Sequence, residues 1–152
     1  MALDYDLDLS THLKPTQALE KLAGHLAGLA WSEDKSCLFN TDVTISANMP
    51  REGWRRIIER GFQFIPTLSV GFRRASDANW DKFRQLLLET TLLLLEDTQD
   101  AVLLFNGENI VLQQLGGKLI FNADSSYWAD ENWLKSRLTV PFERRSLQSP
   151  LL

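Results

Sequence analysis

A chain of 152 residues, 44% of them apolar and 24% charged, has the size and composition of one globular domain that buries roughly two thirds of its unfolded surface. Its formal net charge of −4 argues against a general nucleic-acid binder, which carries a basic footprint, and the single cysteine, Cys37, excludes an intramolecular disulfide. The opening "MALDYDLDLS" has three aspartates where a secretory signal carries a basic region and an apolar run, so a cytoplasmic protein is expected.

The first element is a strand, because Leu3, Tyr5, Leu7 and Leu9 alternate with Asp4, Asp6 and Asp8. Pro15 suits the first turn of a helix, and Leu19, Leu22, Ala23, Leu26 and Leu29 continue one apolar stripe to about residue 29. After a polar loop, "DVTISANMP" returns to strand alternation and is closed by Pro50. In "REGWRRIIERGF" the period changes again: Trp54, Ile57, Ile58 and Phe62 share one helical face, Arg51, Arg55, Arg56 and Arg60 the other, and Gly61 is the expected stop. "PTLSVGFRR" is a further strand, with Leu68, Val70 and Phe72 inward and Thr67, Ser69 and Arg73 outward.

A long helix is expected from about Asp77 to Asp97. Its leucine-rich run "QLLLETTLLLL" is interrupted by Glu89, Thr90 and Thr91 and closed by Glu96 and Asp97, well short of the roughly 20 apolar residues that span a bilayer. It reads as a core helix, and no membrane contact is expected. "AVLLFNGENIVLQQLGGKLIFN" gives three strands joined by "NG" and "GG" turns, whose central residues need positive φ. A short helix over about Ala129 to Leu138 ends the pattern.

The order β-α-β-α-β-α-β-β-β-α implies an α+β fold: a mainly antiparallel β-sheet with helices packed on one face. Residues 1–143 form the single domain, and 144–152 a flexible C-terminal tail. The other sheet face would then present Asp4, Asp6, Asp8, Thr44, Ser46, Asn48, Thr67, Ser69 and Arg73 to water.

Chemistry-bearing motifs are sparse. His12 and His25 have neither the helical spacing nor a nearby cysteine that a zinc site uses, so no metal and no other cofactor is expected; His25, beside an apolar stripe, reads as a partly buried structural residue. "GGK" at 116–118 is followed by Leu119 and sits between strands, which makes it a hairpin turn rather than a phosphate loop. Asp4, Asp6 and Asp8 lie about 7 Å apart on one strand face, but a solvated face explains them without catalysis. Glu52 precedes Arg56 by four residues, the favourable order for a helical ion pair, so the arginines read as a solvated helix face. Tyr127, Trp128 and Trp133, among acids and serines, are equally suited to pinning a helix and to anchoring a partner.

"GFQFIPTLSVGFR", the leucine-rich helix, "DAVLLFNGENIVL" and "GKLIFNADSSYW" together resemble the Sit-type immunity proteins, cytoplasmic partners of swarming-inhibition toxins in bacterial kin discrimination; the start "MALDYDLDLST" is similar too. The resemblance implies a protein that acts by binding the C-terminal domain of a cognate toxin, with no catalytic residue of its own. The expected partner-binding residues are Asp4, Asp6, Asp8, Arg73, Tyr127 and Trp128. If the toxin is a basic nuclease, the aspartates stand in for phosphates and speed association at low salt. The free protein is expected to be a monomer or weak dimer. The alternative is a secretion chaperone or adaptor for an effector, and a small hydrolase is the third reading.

Overall fold

A computed structural model describes residues 3–125 and 130–151. Thirteen elements follow in chain order: β1 (Leu3–Ser10), α1 (Pro15–His25), β2 (Ala30–Trp31), β3 (Cys37–Phe39), β4 (Val43–Asn48), α2 (Glu52–Phe62), β5 (Leu68–Arg74), α3 (Trp80–Leu95), β6 (Asp100–Phe105), β7 (Asn109–Leu115), β8 (Lys118–Asn122), α4 (Glu131–Arg137) and β9 (Glu143–Arg145). The strands form one sheet in the order β2-β3-β4-β5-β1-β6-β7-β8-β9, antiparallel throughout except for the parallel pair β8–β9. The fold is thus α+β with a mainly antiparallel sheet, as expected, with the short strands β2, β3 and β9 in addition.

Local signals account for most boundaries. The carbonyl oxygen of the Gln17 side chain accepts from the Lys14 N–H at 2.9 Å beside Pro15 at the start of α1, and Asn79 caps α3 by accepting from the Lys82 N–H at 3.0 Å. Asn106 and Gly107 between β6 and β7, and Gly116 and Gly117 between β7 and β8, all have positive φ. Those are the turns that "NG" and "GG" announce. Gly61 does not stop α2: the helix runs to Phe62 and closes at Gln63, which takes the left-handed conformation at φ 64°.

The main core lies on one face of the sheet. Tyr5, Leu7 and Leu9 of β1, Leu103 of β6, Leu112 of β7 and Phe121 of β8 meet Leu19 and Leu22 of α1, Phe83, Leu87 and Leu94 of α3, and Leu134 of α4. Lys21 of α1 also ion-pairs with Asp97, just past α3, at 2.9 Å.

Helix α2 departs from the expectation of helices on one face. Its Ile58 and Phe62 pack with Phe64, Val102, Leu104 and Ile110 in a second core, and by strand alternation Val102 and Leu104 point away from Leu103. A one-residue irregularity between Leu103 and Leu104 sets Leu104 opposite Ile110 and Leu103 opposite Leu112, skipping Val111. Val111 and Leu112 therefore both serve the main core while Ile110 serves the second.

The C-terminal segment completes this second core. From residue 144 a mobile tail was expected, yet β9 pairs with β8, and Leu147 and Leu151 pack against the second cluster. The Asn122 side chain fixes the path: its Nδ2 donates to the carbonyls of Ile110 at 2.7 Å and Leu147 at 3.1 Å, and its Oδ1 accepts from the Leu147 N–H. The second sheet face is consequently covered over β1, β6 and β7, and stays open toward β4, where Thr44 and Asn48 are exposed.

Candidate functional site

Strand β1 is the middle strand of nine, and that position determines what its aspartates can do. Asp4, Asp6 and Asp8 share the face that α2 overlies, opposite Arg73, Gly71 and Ser69 of β5. Their environments differ by depth. Asp4 accepts from Arg73 Nε at 3.0 Å, and both side chains reach solvent. The hydrogen bond and the charge of Asp4 hold the guanidinium above its ordinary pKa.

Asp6 is half-buried, and its carboxyl is pushed up by burial first and by the Asp4 charge second. Asp8 is completely buried. Its Oδ1 accepts from the Trp54 indole Nε1 at 2.9 Å, while Oδ2 is buried with no hydrogen-bond partner among the described residues. Burial pushes its pKa up to about 6; the Trp54 indole and Ser69 hydroxyl pull it back, and the Asp6 charge adds a little upward. The ladder expected to face water is therefore graded: one paired carboxylate, one half-desolvated, and one under a tryptophan.

Beside it lies an open cleft of about 740 Å³. Asp4, Asp6 and Ser69 line one side of it, Asn48, Met49, Pro50, Arg51 and Trp54 the approach to α2, and Asn106 with Gly107 the β6–β7 turn. The turn is held to β1 by the Asn106 N–H, which donates to the Asp4 carbonyl at 2.8 Å. Such a cleft, acidic on the sheet side and basic at Arg51, suits a partner's polar side chain. Of the six residues expected to bind a partner, the structure thus brings Asp4, Asp6, Asp8 and Arg73 together. Tyr127 and Trp128 lie outside the described residues.

Sequence reading missed Trp54 as a site residue. Its indole lies on the apolar face of α2, but nothing local in the sequence says that this face meets the aspartates. His25 also differs from expectation: it is exposed, with Nδ1 donating to the Lys21 carbonyl at 2.8 Å at the end of α1. A histidine in the last turn finds a free helix carbonyl more readily than a core.

Residues 3–132 match the model of the SitI3-like protein family. The chain belongs to the SitI3-like family. This SitI3-like match runs continuously from β1 into α4 and takes in the whole aspartate face, α2 and the cleft. No curated protein and no solved structure matches the chain. No helix among the described residues is long and apolar enough to cross a membrane.

Proposed function

We propose that this protein is a cytoplasmic immunity protein of a polymorphic bacterial toxin system, neutralising one cognate toxin domain by forming a stoichiometric complex with it. The observation that carries the reading is the SitI3-like match over residues 3–132. The geometry supports it: two of the three carboxylates of the candidate site are engaged in holding the fold, Asp4 by Arg73 and Asp8 by Trp54, and the adjoining cleft is open to a partner's surface. The protein works by occupancy rather than turnover, so loss on mutation is spread over an interface with a few dominant anchors.

The test is a growth assay. The C-terminal domain of the cognate toxin is induced in a sensitive cell, with and without this chain. Rescue that scales with its expression supports the proposal, and toxicity that persists despite abundant folded protein overturns it.

A further inference from the structure

We propose that the outward face of α2 is the surface that docks the toxin, and that it meets an acidic face of the toxin domain; this rests on reading the chain as an immunity protein. From Arg51 to Phe62 the chain carries four arginines and two glutamates, within a protein of net charge −4. Arg56 is held by Glu52 at 2.6 Å. Arg51, Arg55 and Arg60 are exposed and have no ion-pair partner among the described residues. The start and body of the helix are locally positive on an acidic molecule, so an acidic partner is drawn toward this side and its approach is oriented.

Apolar anchors accompany the charge. Met49 is 64% exposed, Ile57 44% and Ile65 49%, and these three precede, interrupt and follow the helix. Arginine and methionine are enriched at interface cores, where an apolar neighbour excludes water and strengthens the charge pairs. The platform is rigid, because Ile58 and Phe62 sit in the second core and Trp54 is bonded to Asp8, so little freedom is lost when a partner docks. The aspartate ladder is the weaker candidate for the same task, since Asp4 is spent on Arg73 and Asp8 is covered.

The experiment measures association of the purified full chain with the purified C-terminal domain of the toxin it neutralises in the growth assay, at low and high salt. Wild type is compared with R51A/R55A/R60A, with Ile57→Ala, and with the charge-matched control K14A/K82A/K135A, whose lysines are exposed outside α2. The triple arginine variant should unfold at the wild-type temperature, associate roughly tenfold more slowly at low salt and lose most of its salt dependence. The control should bind as wild type does, and Ile57→Ala should dissociate faster. Unchanged association and affinity for both α2 variants, with wild type still forming the complex, would overturn the surface alone. Failure of wild type to form any complex would overturn the immunity reading beneath it. A labelled duplex oligonucleotide bound by wild type and lost by the arginine variant, with the toxin complex unaffected, would overturn the acidic-protein assignment.

Discussion

Trp54 Nε1 donates to Asp8 Oδ1 at 2.9 Å, a bond between residues 46 apart that fastens α2 to the middle strand of the sheet. Around this contact the protein keeps a buried carboxyl with one satisfied and one unsatisfied oxygen. A group in that position is costly when ionised, and much of what can be tested about the fold follows from it.

Asp8 makes stability depend on pH in a direction unusual for a carboxylate. Its pKa rises from 3.8 to about 6 on folding, so between those values the folded chain holds more protons than the unfolded one. The stabilisation is complete below about pH 4 and is lost as pH rises through about 6. A shift of two units corresponds to about 3 kcal/mol. Asp8→Asn keeps an acceptor for Trp54 without the charge. Urea unfolding should find it more stable than wild type at pH 8 by up to about 3 kcal/mol, with the difference vanishing near pH 4. A difference independent of pH would contradict the assignment.

Trp54→Phe removes the indole donor and leaves the carboxylate with only the Ser69 hydroxyl to favour its ionised form. The loss should be about 1–3 kcal/mol at pH 8, where Asp8 is ionised, and smaller at pH 5. In an Asp8→Asn background the pH dependence of that loss should disappear. A double-mutant cycle at the two pH values measures both effects.

Truncation after Phe142 deletes β9 together with Leu147 and Leu151, uncovering one side of the second core. Burial of apolar surface at roughly 25 cal/mol per Å² makes a loss of about 2 kcal/mol or more the expected result. Thermal unfolding should show it as a lower midpoint. An unchanged midpoint would mean that the segment contributes nothing to the fold.

Thr90 and Thr91 are buried in α3, and neither hydroxyl has a hydrogen-bond partner among the described residues. Replacing a buried, unpaired hydroxyl by a methyl group removes a desolvation cost. Thr90→Val should therefore raise stability by about 1 kcal/mol in chemical denaturation. A destabilised variant would show that the hydroxyl is satisfied in solution.

Much of the fold was legible in the sequence because its strongest signals are local. The alternation of "LDYDLDLS", the "NG" and "GG" turns and the leucine stripe of α3 each fix an element through its immediate neighbours. The pairing of distant segments left weaker traces. The continuous apolar run Ala101 to Phe105 could have been read as a strand buried on both faces, which requires something to cover Val102 and Leu104. That covering is α2: Trp54, Ile58 and Phe62 of its expected apolar face do turn to the sheet, Ile57 turns outward, and the destination of the face was not foreseen. The short strands β2 and β3 lacked periodicity because two or three residues carry none. At the candidate site the residue types were visible, but the fate of each aspartate depends on strand order, and no spacing within β1 reveals that it is the middle strand.

As an immunity protein, this chain inhibits by stoichiometric binding. The most direct test of that inhibition is to titrate the purified toxin domain with this protein while following the toxin's own activity, at concentrations far above the dissociation constant. Stoichiometric binding gives a linear fall that reaches zero at one equivalent, with the pair eluting together in size exclusion. Activity that persists at several equivalents of folded protein, or that falls with substoichiometric amounts in the manner of a catalyst, would contradict it.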